Sequence, residues 1–167
     1  TEKYDGTNWA TGNPLNTARQ QLAGAGTQTA GLAFGGEPTT AATEEYDGNS
    51  WTTVNSMNTA RYQIAGTGTQ TAALGFGGRQ NPPSTGLSTT EQYDGLSWTT
   101  GGNLNTARRA AAGAGTSSSA IGFGGYGAGY PAFTATEEYD GTSWTTLPAT
   151  LATGRSYPSS AGTVSLA

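Results

Sequence analysis

Between Arg61 and Trp98, apolar and polar positions fall into four short runs separated by turn residues. Tyr62-Gln63-Ile64-Ala65-Gly66-Thr67-Gly68 is small and glycine-rich, and Thr71-Ala72-Ala73-Leu74-Gly75-Phe76 ends in the doublet Gly77-Gly78. Thr89-Thr90-Glu91-Gln92-Tyr93 turns at Asp94-Gly95, and Ser97-Trp98-Thr99-Thr100 follows. Such runs, rich in Thr and aromatic residues and bounded by Gly, Asp and Asn, predict strands. Asp-Gly between two of them predicts a hairpin whose two turn residues both take positive φ. The four runs, called a, b, c and d, predict an antiparallel meander.

The pattern recurs along the whole chain. Tyr4, Tyr46, Tyr93 and Tyr139 lie at intervals of 42, 47 and 46 residues, as do Trp9, Trp51, Trp98 and Trp144, and Arg19, Arg61, Arg108 and Arg155 keep nearly the same steps. Self-similarity at about 40 to 50 residues marks stacked units, none of which buries a core alone. Run a is almost free of side chains in every copy, as in Leu22-Ala23-Gly24-Ala25-Gly26 and Ala110-Ala111-Ala112-Gly113-Ala114. A strand so poor in side chains belongs innermost, where neighbouring backbones crowd together. Four-stranded sheets set radially make a β-propeller, which leaves only short, protected edges.

The expected fold is therefore all-β, a propeller of four-stranded antiparallel blades forming one domain over residues 1–167. Complete units run over about 12–54, 55–101 and 102–147. The chain opens on c and d pieces and ends on an a piece and the start of a b piece. Residues 1–11 and 148–167 are thus expected to close a fourth, composite blade from N- and C-terminal strands. The last unit is short and lacks the Gly-Gly doublet, which leaves a second arrangement, an open edge that pairs with another subunit.

Composition narrows the function classes. Charged residues are 11% of the chain, Gly numbers 27, and net charge is −4 with a pI near 4.6. Seven basic residues spread along the repeats do not form the cluster that nucleic acid requires. No apolar run approaches the roughly 20 residues of a membrane-spanning helix, so no membrane insertion is expected, and no signal peptide is visible. The chain starts mid-repeat without Met, as expected of a processed or excerpted product. Neither Cys nor His occurs, which removes disulfides, thiol nucleophiles and the usual transition-metal ligands. No cofactor is expected. This Thr/Gly-rich, His-free and Cys-free composition associates with virion and cell-surface proteins.

The order of motifs resembles the kelch family, whose repeat carries an Arg opening strand a, a Gly-Gly doublet ending b, then Tyr-Asp and Trp in c and d. Here these are Arg19, Gly35-Gly36, Tyr46-Asp47 and Trp51, then Arg61, Gly77-Gly78, Tyr93-Asp94 and Trp98, then Arg108, Gly124-Gly125, Tyr139-Asp140 and Trp144. The chain departs by shortening the Tyr-to-Trp stretch, which also resembles the Asp-box turn of sialidase propellers in its turn chemistry. The wording of the repeat resembles Thr/Gly-rich kelch-like repeats of phage structural proteins. That resemblance implies an extracellular or virion-surface location.

Candidate residues divide into repeated and unrepeated ones. Trp9, Trp51, Trp98 and Trp144, with Tyr4, Tyr46, Tyr93 and Tyr139, hold equal phase in each unit and are expected between blades as core. Arg19, Arg61, Arg108 and Arg155 open the inner strands. One reading sets them around a channel mouth to grip an acidic ligand, and the other pairs them with Glu2, Glu44, Glu91 and Glu137. Asp5, Asp47, Asp94 and Asp140 each precede one Gly and read as turn residues, because calcium takes six to eight oxygens, usually from several acids of one loop. No metal site is expected.

The departures carry more information. Two units hold insertions of about five residues after the Gly-Gly doublet, within Arg79–Gly86 and Tyr126–Phe133. In a meander the b–c and d–a loops share one face. Arg79, Tyr126, Tyr130 and Phe133 therefore join the four repeat arginines as candidate ligand-binding residues there. Ten of the eleven acids sit at repeat positions, Glu37 being the exception, a poor basis for one asymmetric catalytic centre, and the chain reads as non-enzymatic. Two functions remain in view. One is a binding or adhesion module for glycan or protein through the loop face. The other is a structural block that self-assembles with its own copies into a fibre, appendage or virion decoration.

Overall fold

The computed structural model describes residues 1–82, 85–129 and 131–162, and those residues are all-β, with no helix. A hairpin comes first, β1 (Glu2–Tyr4) and β2 (Trp9–Thr11). Three four-stranded sheets follow in chain order. The first holds β3 (Ala23–Thr27), β4 (Ala30–Phe34), β5 (Thr43–Tyr46) and β6 (Trp51–Val54). The second holds β7 (Ala65–Thr69), β8 (Ala72–Phe76), β9 (Thr90–Tyr93) and β10 (Trp98–Thr100). The third holds β11 (Ala112–Gly115), β12 (Ala120–Phe123), β13 (Thr136–Tyr139) and β14 (Trp144–Thr146). Each is an antiparallel meander in which strands neighbouring in sequence pair.

Two details differ from the sequence reading. The Asp-Gly turns span four residues, because Tyr93 pairs with Trp98 and not with a nearer residue. Only Gly95 takes positive φ there, at 91°. The Asp94 carboxylate instead accepts from the Leu96 and Ser97 amides at 2.8 and 2.7 Å, closing the loop from within. The innermost strands also begin later than expected. Gln21, Gln63, Ala110 and Tyr157, two residues after each Arg, all sit at φ of 51–54° and turn the chain before strand a starts.

These four turns are tied to one another in sequence. The Gln63 amide donates to the Gln21 carbonyl at 2.9 Å, Ala110 to Gln63 at 2.9 Å, and Tyr157 to Ala110 at 2.8 Å. The inner strands therefore stand side by side around a cavity of about 310 Å³ that is also bordered by Ser160–Gly162, and the turns before them border a smaller one of about 180 Å³ together with Tyr157 and Pro158. Small residues are required here. A Cβ on Gly66 would lie 2.6 Å from the Phe34 ring and 2.9 Å from Ala23 Cβ, closer than non-bonded carbons approach.

Successive sheets lock through aromatic residues. Trp98 lies 4.9 Å from Phe34 of the preceding sheet, and Trp144 lies 4.8 Å from Phe76. Each indole N–H also donates to a threonine of the preceding sheet, Trp98 to Thr43 at 3.0 Å and Trp144 to Thr90 at 2.9 Å. Burying an indole requires such a partner for its N–H.

The fourth unit is incomplete among the described residues. Hairpin β1–β2 rests on the first sheet, with Trp51 donating to Thr1 at 3.0 Å and Lys3 to the Gly48 carbonyl at 2.9 Å. The terminal segment follows the inner edge of the third sheet, where Gly125 donates to the Arg155 carbonyl at 2.9 Å and Ser160 to Gly113 at 2.6 Å. No strand is formed over 148–162, and the hairpin gains no third strand. Trp9 and Tyr4 accordingly lack the core role expected of them and remain 68% and 46% exposed. Trp98 and Trp144 are each covered by the Phe of a preceding sheet, and among the described residues no such sheet covers the hairpin.

Of the three inner glycines at equal phase, Gly24, Gly66 and Gly113, the first two should therefore respond differently to a methyl group. Gly66→Ala forces the Phe34 ring to move and should cost about 1–3 kcal/mol. Gly24→Ala meets only the Leu32 carbonyl, at 3.4 Å, and should fall within about 1 kcal/mol of the parent. Urea unfolding of the two variants checks the difference.

Candidate functional site

The repeated arginines do not line the cavity mouth. Arg19, Arg61 and Arg108 have side chains with no exposed surface, each paired with a buried glutamate of its own sheet, Glu44, Glu91 and Glu137. The Arg61–Glu91 and Arg108–Glu137 contacts measure 3.0 and 2.6 Å. The rest of each guanidinium is spent on backbone. Arg61 donates to the Gly77 and Thr89 carbonyls at 3.0 and 2.7 Å, and Arg108 to Gly124 and Ala135 at 2.9 and 3.0 Å. Each carboxylate also receives two amides of the incoming d–a loop, as Glu91 does from Asn58 at 2.7 Å and Thr59 at 3.2 Å. Burial pulls the Arg61 guanidinium down to about 10, against the opposing pull of Glu91, so it stays charged at neutral pH.

These three arginines thus leave the ligand-facing set, because the Gly-Gly carbonyls and the loop need them inside. Arg155 differs. It is exposed, has no ion pair among the described residues, and follows Ala152 where the other copies carry Asn16, Asn58 and Asn105.

What surrounds the smaller cavity is repeated only in part. Its border includes Gln21, Gln63, Ala110 and Tyr157, the residues of the four positive-φ turns, with Leu22 and Ile64 below them. The Gln63 side-chain amide donates to the Tyr157 hydroxyl across the opening, and the Gln63 Oε1 atom is buried with no hydrogen-bond partner. Around this centre three bridges join the residue after each Arg to the residue after each Gly-Gly, Gln20 to Glu37, Tyr62 to Arg79 and Arg109 to Tyr126. Each bridge has its own chemistry. The Glu37 carboxylate accepts from the Gln20 and Gln21 amides at 3.1 and 2.9 Å. The Arg79 guanidinium stacks 4.7 Å from the Tyr62 ring, and Arg109 stacks 4.5 Å from Tyr126.

The insertions reach this rim in part. Arg79 and Tyr126 belong to it, Tyr126 being buried with its hydroxyl 3.4 Å from that of Tyr157. Phe133 folds back over the third sheet, with its amide on the Gly125 carbonyl at 2.7 Å and its ring 5.6 Å from the Arg108 guanidinium. Tyr130 lies outside the described residues. Gln21, Gln63 and Tyr157 were not singled out from the sequence. Their signal was their position, two residues after each Arg, where the copies read Gln, Gln, Ala and Tyr.

The turn aspartates act as turn residues. Asp5, Asp47, Asp94 and Asp140 each accept from two amides of their own loop. Those backbone N–H groups hold all four carboxyls below the ordinary 3.8. No protein-family model matches this chain, and no curated protein matches it.

Two outcomes follow. Glu91→Gln leaves the Arg61 charge buried without its counter-charge and should cost about 3–5 kcal/mol in urea unfolding. A carboxyl lowered in the folded state contributes stability above its ordinary pKa and loses it as pH falls through the lower folded value. The thermal midpoint should therefore drop with acidification below 3.8, and Asp94→Asn should flatten that drop, as read by circular dichroism across a pH series.

Proposed function

We propose that this chain is a non-enzymatic, kelch-like β-propeller module that binds glycan or protein at the mouth of its smaller cavity, on an extracellular or virion surface. The radial reading is supported by the inner segments of all four units around common cavities. The fourth unit is divided between hairpin β1–β2, held on the first sheet, and the segment from Arg155 to Gly162, held on the third.

One observation carries the binding reading. Inside the sheets the repeat keeps Arg, Glu, Tyr and Trp unchanged, whereas the positions bordering the mouth vary between units, Gln21 and Gln63 being alike. Gln20, Tyr62, Arg109 and Ser156 share one phase, and Glu37, Arg79 and Tyr126 share another. Stacking of identical units does not require that variation, and a rigid scaffold that varies its rim is the usual form of a recognition surface. Amides, a phenol and stacked cation–aromatic pairs suit hydroxyl-rich or peptide ligands. The acids support the non-enzymatic reading, since Glu44, Glu91 and Glu137 are occupied by Arg and Glu37 by Gln20 and Gln21.

A glycan array probed with the labelled chain, followed by calorimetry on the hits, tests this. Gln63→Ala and Tyr157→Ala should each weaken binding at least about tenfold, the scale of losing a buried polar contact, with the circular dichroism spectrum unchanged. Thr99→Ala on the outer strand should bind as the parent does. Equal affinity in all three variants would move the site elsewhere.

A further inference from the structure

The junctions between sheets are copies of one another, and the two ends of the chain carry the halves of one more. At each complete junction the later sheet supplies a Trp, and the earlier sheet supplies a Phe under its ring and a Thr for its N–H. The junction of the first and second sheets adds the Tyr93 hydroxyl, which donates to Glu45 at 2.9 Å. In this frame the third sheet presents Phe123, Thr136 and Glu138, and among the described residues no Trp covers them. Phe123 is only half-buried, whereas its counterparts Phe34 and Phe76 are fully buried. The hairpin presents the missing half, Trp9 at 68% exposure and Tyr4 at 46%.

A second mismatch lies beside the first. Glu2 and Arg155 are both exposed and outside any ion pair among the described residues, while the same residues of every complete unit are buried together. The hairpin is already fastened to the first sheet through Trp51, Lys3 and Asn13, and so held it turns Trp9 to solvent.

We propose that these ends meet between two copies of this chain. The hairpin of one copy docks on the third sheet of the next, with Trp9 over Phe123 of the neighbouring copy and its indole N–H on Thr136. Tyr4 then donates to Glu138, and Glu2 comes to the side of Arg155. The surface is a continuation of an interface the chain builds twice within itself, which identifies the occupant as another copy. The two patches differ, so the contact is heterologous, and it propagates into a ring or a filament. Exposed Trp and Tyr in such a position are the residue types that dominate interface energetics. This assembly does not depend on the ligand reading above.

Light scattering and sedimentation across a concentration series test it on the whole chain. The parent should form dimers and larger species as concentration rises. Trp9→Ala at one end, or Glu138→Lys at the other, should weaken association at least about tenfold. Circular dichroism confirms that each variant is folded. Mixing the two variants should restore a dimer and nothing larger, because one pair of intact ends remains. A parent that stays monomeric at every concentration overturns the proposal. Buried Trp9 emission in that monomer would mean that the hairpin closes on its own third sheet, and exposed emission that the ends stay unpaired. Association that survives both substitutions overturns it equally.

Discussion

The buried Arg–Glu pair inside each complete sheet is the constraint on which the rest of the structure depends. A fully desolvated ion pair is a weak source of stability by itself, because removing both charges from water costs several kcal/mol each. It persists here because nearly every remaining donor and acceptor is used. The guanidinium binds the carbonyls at the end of strand b, and the carboxylate on strand c gathers the amides of the loop that enters strand a. One pair therefore fixes three strands and a connection at once. With little apolar bulk available per unit, this polar anchor sets where each inner strand starts.

The inner strand in turn sets the spacing between sheets. Phe34 and Phe76 reach across into the pairs Gly66–Gly75 and Gly113–Gly122 of the following sheets, where any side chain would collide with the ring. Trp98 and Trp144 then cover those rings from outside. In the first sheet Gly24 pairs with Ala33 instead. No aromatic ring from a preceding sheet fills that place, and the added methyl is accommodated.

Within the three complete sheets, strand number, order and pairing were legible in the sequence because equal-phase copies average out local ambiguity, whereas the expected fourth, composite sheet is not formed among the described residues. The details that escaped have physical reasons. The Asp-Gly signal pointed to a two-residue turn, but the aspartate carboxylate satisfies two loop amides only when four residues lie between the strands. The positive-φ turns at Gln21, Gln63, Ala110 and Tyr157 carry no glycine, so the usual composition cue was absent. For the arginines both readings were open, since spacing alone does not say whether a guanidinium faces a channel or its own sheet. Trp9 was misplaced in the core because Trp98 and Trp144 owe their burial to the Phe of a preceding sheet, and no such sheet lies over the hairpin among the described residues. The candidate site was legible only in outline: the loop face could be named, whereas the central glutamines and Tyr157 emerged once the four turns were seen around one opening.

The backbone chain that runs from Tyr157 through Ala110 and Gln63 to Gln21 uses no side-chain atom. Its consequence is a separation of duties between main chain and side chain at the same four positions. Because the turns are linked through amide and carbonyl alone, mutation can rewrite what each presents to solvent while the link itself stays intact, proline and the β-branched residues excepted, which that amide and that φ disfavour. A lineage carrying this repeat can explore new surface chemistry at its centre, in single substitutions, without renegotiating the architecture that holds that centre in place.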